Sequence, residues 1–197
     1  DITGRNAAIS ADQVQCMLTT LDSTLVARAV GVPVKHVAVP LMSYGLDQMI
    51  VKSGIASVED FKGKTFAAEL GFYNQLWMLL TLKRAGMPFD AVEHRVMTAA
   101  ESAAAFTSGA IDIDVSYLPY SLQSQQAPGA KVFKTTLTDK TWERGLISDS
   151  IACNESWLHD NPEVAAKLVR AWFAAVDWWE KNPSEGNAIV AKEMGIL

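Results

Sequence analysis

Four side chains able to hold a small molecule stand close together between Lys64 and Trp77, in the stretch KTFAAELGFYNQLW: Glu69, Phe72, Tyr73 and Asn74. Glu69 can pair an ammonium or accept hydrogen bonds from urea-like N–H groups. Tyr73 and Asn74 can hold a carboxylate or sulfonate through N–H and hydroxyl donors. Phe72 can wall a pocket, as aromatic residues commonly do. The elements that must position them follow from spacing. Thr65 to Ala68 is a short apolar run that reads as a strand, and Glu69-Leu70-Gly71 breaks it. From Asn74 onward Leu76, Trp77, Leu79, Leu80, Leu82 and Ala85 fall on one helical stripe. A turn that opens into a helix presents free N–H groups and a positive dipole end, and open α/β sheets place ligands at such edges. An ordinary strand–helix junction with core aromatics has the same pattern, and both readings stand at this level.

Composition narrows the classes. The 197 residues are 49% hydrophobic and 20% charged, enough for a buried core in one domain or two small lobes. The formal net charge is −5 and the basic residues are scattered, which excludes a nucleic-acid stripe. No apolar run approaches the roughly 20 residues of a membrane span. The chain opens on polar residues at Asp1, so an export signal is expected to have been cut away or never present. Cys16 and Cys153 lack metal-ligand spacing and read as buried thiols, with a single disulfide between them the open alternative. His36, His94 and His159 are far apart and suggest neither a metal nor a catalytic histidine. No cofactor is implied.

In chain order, strands and helices alternate. Val14 to Leu18 reads as a strand, and a helix follows through Val30, capped by Thr20 or Asp22. Val34 to Met42 reads as a buried strand, and Asp47 to Lys52 as another after a turn at Ser43 to Leu46. Ser57 to Phe61 is a helical turn, and the Tyr73 helix stops at Ala85-Gly86. Ala91 to Met97 is a strand. Thr98 and Glu101 form a capping box whose helix stops at Gly109. Ile111 to Ser116, Lys131 to Lys134 and Gly145 to Cys153 read as strands. Gln123, Gln125 and Gln126 mark a solvated face of a short polar helix, and Thr135 to Arg144 is loop or a helical turn. Asn161-Pro162-Glu163 and Asn182-Pro183 open two final helices, whose Trp172, Trp178 and Trp179 read as core or packing surface. This alternation predicts an α/β fold with mostly parallel sheets.

Five segments, in order, resemble one family. Gly54 to Thr65 (GIASVEDFKGKT) is similar to the "GI-S-DLKGK-V" segment of ABC-transporter substrate-binding proteins of the sulfonate, taurine, nitrate and thiamine-pyrimidine-precursor type. Thr98 to Asp112 resembles their "A-AAAL-SG-IDA" stretch, and Tyr117-Leu118-Pro119-Tyr120 stands where many members have Trp-x-Pro. Leu168 to Phe173 followed by Asn182-Pro183 looks like "LVRAW-KA…NP-EA", and Thr19 to Ser23 like a ligand loop of the first lobe. The resemblance implies a type II periplasmic-binding fold: two α/β lobes joined by hinge crossovers that close on a ligand. It places lobe one at 1–50 and 148–197, lobe two at 54–134, and the hinges near 46–53 and 145–153. Family members are longer at both ends, so lobe one is expected to be incomplete. The chain then reads as a fragment or a shortened homologue, and its open edges suggest self-association.

The implied ligand site lies between the lobes. Thr20, Asp22, Ser43 and Tyr44 would come from lobe one, and Glu69, Phe72, Tyr73, Asn74, Ser116 and Tyr117 from lobe two. Asp47, at a strand start, is a secondary candidate. Asp22 serves equally as a helix cap, and Phe72 equally as core. The implied function is capture of a small polar organic or nitrogen- or sulfur-containing solute for an ABC permease, in the periplasm or outside the cell, with lipid or membrane association open. No nucleophile–base pair suggests an enzyme. The alternatives are an enzyme of the same fold (thiamine-pyrimidine or menaquinone type) and a ligand-sensing domain of a signalling protein. A carboxylate in each lobe, with no Arg or Lys beside the lobe-two turn, tilts the expected ligand toward an amine, an amide or a neutral heterocycle.

Overall fold

A computed structural model describes residues 2–139, 147–193 and 195. The chain opens with helix α1 (Ile2–Ser10), then β1 (Cys16–Thr20), α2 (Leu21–Ala29) and β2 (Val34–Ala38). It crosses to β3 (Asp47–Val51), β4 (Thr65–Ala68), α3 (Tyr73–Arg84), β5 (Glu93–Val96), α4 (Ala99–Ser108), β6 (Ile113–Tyr117), α5 (Tyr120–Gln125) and β7 (Lys131–Thr135). It then returns through β8 (Asp149–Asn154) to α6 (Glu155–Asp160), α7 (Pro162–Lys181) and α8 (Pro183–Glu193). Two sheets result, a three-stranded one in the order β1-β8-β2 and a five-stranded one in the order β5-β4-β6-β3-β7.

The expected parallel bias is confined to one part of the chain. Among the described residues only the β4–β5 and β4–β6 pairs are parallel, joined by the α3 and α4 crossovers. β3 runs antiparallel to β6 and β7, and β8 antiparallel to β1 and β2, because these strands enter their sheets from the crossing segments. Asp47–Val51, read from sequence as a strand within the expected crossover segment 46–53, is a strand bonded on both sides, with Met49, Ile50 and Val51 fully buried. Apolar side chains facing both ways fit an interior strand. Residues 140–146, which held part of the expected Thr135–Arg144 loop and the start of the expected Gly145 strand, lie outside the described residues.

Period-two alternation divides the five-stranded sheet into two buried faces. Met49, Val51, Phe66, Ile113 and Val115 pack against Trp77, Met78 and Leu82 of α3. Ile50 and Ala67 face Phe106 of α4. On that second face Asp114 is wholly buried and accepts hydrogen bonds from Ser102 of α4 (2.5 Å), Ser116 of β6 (2.6 Å) and Ser124 of α5 (2.6 Å). One carboxylate thus ties two helices to the central strand. The predicted capping box is present, with Thr98 N–H donating to Glu101 and Glu101 N–H to the Thr98 hydroxyl.

The three-stranded sheet has a small core of Ile9, Met17, Ala27, Val34 and Ala152. Cys16 and Cys153, directly opposed on β1 and β8, form a disulfide, so the buried-thiol reading gives way to the alternative left open. Closing a loop with a sequence separation of 137 restricts the unfolded chain by about 5 kcal/mol in the chain-entropy model. The tryptophan stripe departs from expectation: Trp178 and Trp179 of α7 are each 40% exposed, and in α7 only Ala165 is buried. The hydroxyls of Ser102, Ser116 and Ser124 have no access to water once the Asp114 acceptor is gone. We therefore expect Asp114→Ala to lower unfolding stability by about 3 kcal/mol or more, measured by urea denaturation. A loss below 1 kcal/mol (about one ordinary hydrogen bond) would show that the three hydroxyls find other partners.

Candidate functional site

The crossing segments build the site. Ser43 N–H donates to Ile147 O (3.0 Å), Asp149 N–H to Leu41 O (2.9 Å) and Leu21 N–H to Ser148 O (2.8 Å), and Met42 forms an isolated bridge with Ser148. This pairing brings the end of β1, the start of β3 and the start of β8 to one place. There a cavity of about 310 Å³ lies between the two sheets.

Of the expected residues, Thr20, Ser43, Phe72, Tyr73 and Tyr117 line this cavity together. Phe72 is the residue before α3, and its ring meets that of Tyr73 edge to face at 5.0 Å. Tyr117 ends β6, with its ring 6.4 Å from that of Tyr73. Ser43 bonds the Thr136 hydroxyl at 2.8 Å, and Thr20 donates to the Ser23 hydroxyl at 2.9 Å. Ser23 in turn donates to Gly71 O (3.1 Å), which links α2 to the turn before α3. That turn has Gly71 at φ 71°, where a side chain would be strained.

The other expected residues lie elsewhere. Tyr44 is 82% exposed, on the turn that Gly45 makes at φ 89°. Glu69 lines a separate depression with Ile2, Thr3, Val96 and Glu101. Asn74 is buried in the first turn of α3, where its side-chain oxygen accepts from the Gln75 N–H. Ser116 is taken up by Asp114. Asp22 sits buried in the first turn of α2, outside the cavity lining, with Oδ1 lacking a hydrogen-bond partner of good geometry among the described residues. Thr20, not Asp22, holds the N-cap position of α2.

Among the described residues, three charged ones line the cavity that the motifs did not bring forward as a set: Arg5, Asp47 and Asp149. Asp47, the secondary candidate, is 4% exposed, and burial pushes its carboxyl above the ordinary range. Asp149 is pushed up to about 6, first by burial and then by the charges of Asp47 and Asp22. The same burial effect raises Asp22. Arg5 donates from Nη1 to Leu18 O at 2.8 Å. It comes from α1, whose sequence ITGRNAAIS carries no apolar stripe to announce a helix. Asp149 escapes a reading of the sequence because it falls in the middle of the stretch Gly145 to Cys153 that reads as one strand; only the structure puts it at a strand start, as Asp47 is.

The architecture matches known structures. The periplasmic aliphatic sulphonate binding protein of Escherichia coli superposes with a TM-score of 0.82 at 21% identity, over 98% of this chain and 62% of that one. The alkanesulfonate-binding protein of Xanthomonas axonopodis pv. citri, bound to MOPS, gives 0.82 at 17% identity, over 97% and 65%. The fold is that of the type II periplasmic binding proteins. The family model described as NMT1/THI5 like matches residues 2–186, and the chain belongs to that family. A binding protein of Brucella abortus (strain 2308) is 27% identical over 150 residues, 76% of this chain and 47% of that protein. The chain thus spans about half the length of the curated relatives it matches.

The raised carboxyls have a direct consequence for stability. Asp149 has its folded pKa at about 6, above its ordinary value of 3.8, so the folded state holds the extra proton between them. The stability it contributes is full below about pH 4 and is lost as pH rises through about 6. We expect the ligand-free protein to be more stable at pH 5 than at pH 7, by the order of 1 kcal/mol once solvent screening of this half-buried group is allowed for. Urea titrations at both pH values, repeated on Asp149→Asn, check this. The variant should lose most of the difference, and an unchanged slope would place the effect elsewhere.

Proposed function

We propose that the chain is the solute-binding part of an ABC importer, which holds a small polar organic solute between two lobes and delivers it to a permease unchanged. The observation that carries this is the cavity itself, walled from both sheets at the point where the chain crosses between them. In this reading lobe two runs from Asp47 to Thr135 and lobe one comprises the described segments on either side, with 39–46 and the paired residues 147–148 belonging to the hinge crossings. Thr20, Ser43 and Tyr73 would supply hydroxyl contacts, Phe72 and Tyr117 aromatic walls, and Asp47 and Asp149 charge. The sulfonate-binding proteins with the same fold support solute capture as the task of such a cleft. The Cys16–Cys153 disulfide fits an oxidising compartment, the periplasm or cell exterior.

A thermal-shift screen of small polar solutes, followed by calorimetric titration of the hits, tests this reading. A true solute at a hundredfold excess over its Kd should stabilise the protein by about 2.7 kcal/mol. Tyr117→Ala should weaken it about tenfold, as loss of one aromatic wall implies. A solute recovered chemically altered would favour the enzyme alternative, and the absence of any stabilising solute would count against capture altogether.

Self-association has one supporting observation. Leu18, Leu168, Phe173, Trp178 and Trp179 leave apolar surface exposed on and beside α7, each at 40% or more. Sedimentation velocity over a range of concentrations decides it: a dimer that Phe173→Glu dissociates supports association, and a monomer throughout removes it.

A further inference from the structure

We propose that the solute this cleft selects carries a protonated nitrogen, an ammonium or amidinium, seated between the Asp47 and Asp149 carboxylates. The proposal rests on the solute-capture reading above and goes on to assign the charge of the ligand. The cavity is otherwise mainly apolar, with walls from Leu18, Leu41, Leu46, Phe72, Tyr117 and Ile147. Into this surface come two carboxylates from different strands, Asp47 on β3 and Asp149 on β8, with Asp22 of α2 close enough behind to act on the charge of Asp149. The one lining cation among the described residues is Arg5, which is tied to the Leu18 carbonyl. Like charges brought together in an apolar setting repel and are poorly solvated. A cation placed among them removes both penalties, whereas an anion adds a further repulsion.

A buried polar atom points the same way. The hydroxyl of Tyr73, a lining residue 2% exposed, is turned toward the Asp47 carboxyl but closes no hydrogen bond of good geometry among the described residues. Buried polar atoms of this kind are normally satisfied. An N–H cation in the cavity offers donors to the Asp47 and Asp149 carboxylates and to the Tyr73 oxygen together, a match that a sulfonate, with acceptors only, does not make.

Protons must then compete with the ligand. The ionisable groups around Asp149 are Asp47 on β3, Asp22 on α2, Tyr73 on α3, Tyr117 on β6 and Arg5 on α1, with His36 of β2 bonded to the neighbouring Ser150. The acids titrate above their usual range, and Asp149 does so at about 6. The fraction of sites ready for a cation falls about tenfold between pH 7 and pH 5, and apparent affinity falls with it.

The test uses three probes of one shape and different charge, benzylammonium, benzyl alcohol and benzenesulfonate, titrated calorimetrically into the full chain. At pH 7 benzylammonium should bind at least about tenfold more tightly than benzyl alcohol, and benzenesulfonate more weakly than either. Lowering the pH to 5 should weaken benzylammonium by about tenfold and leave benzyl alcohol unchanged. Asp149→Asn should bring the ammonium and the alcohol close together and flatten the pH dependence; should that variant fail to fold, the pH profile of the unaltered protein decides. Equal binding of the three, or tightest binding of the sulfonate, overturns the charge assignment while solute capture stands. So does silence from all three probes in a protein that the solute screen shows to bind an anionic or neutral compound. A protein that binds nothing in either experiment fails the capture reading, and the charge assignment with it.

Discussion

The antiparallel pairing of residues 41–43 with 147–149 is the constraint on which the rest of the structure depends. It is short, a single isolated bridge at Met42 and Ser148 flanked by the bonds from Ser43 to Ile147 and from Asp149 to Leu41. Yet it fixes where the chain leaves one sheet and where it comes back. Ser43, Ser148 and Asp149 reach the cavity because of it, and Asp47 follows a few residues on. The two strands that carry the acids, β3 and β8, belong to different sheets. The two residues line one cavity because the crossings run side by side.

Charge in this site follows from burial more than from any pair of residues. Burial is the first cause of the raised carboxyls at Asp22, Asp47, Asp114 and Asp149 alike. The four nevertheless differ in what surrounds them. Asp114 is enclosed by three hydroxyl donors from three elements and is a structural tie. Asp47 and Asp149 open onto empty volume. Asp22 stands between these cases, in the first turn of a helix whose dipole favours it.

Much of this was legible in the sequence, and the failures have physical reasons. The turn from β4 into α3 was plain from an apolar run, a glycine and a helical stripe, and it delivered Phe72 and Tyr73 to the cavity. The capping box at Thr98 was equally readable, because it is local chemistry. Strand direction was not local. Val34 and its neighbours look the same whether a strand pairs parallel or antiparallel, and only the crossings decide. The same holds for the site residues brought in over long distances. Arg5 belongs to a helix with little periodicity, and Asp149 falls inside a stretch that reads as one longer strand, where nothing marks it out. Ser116 and Asn74 misled for the opposite reason: a polar residue at a strand end or a helix start is as useful to the interior as to a ligand, and here Asp114 and the Gln75 N–H claim them.

The disulfide has a topological meaning beyond its effect on stability. Cys16 and Cys153 stand at the two ends of the excursion that contains the whole five-stranded sheet and both crossings. The backbone therefore closes a covalent ring at the base of that excursion. A nick anywhere in the ring, in a surface turn for instance, would leave one molecule and not two, with both banks of the cavity still fastened to β1 and β8. The ring is in this sense the molecule's insurance against cleavage: the cavity is held by bonds that do not pass through its own loops.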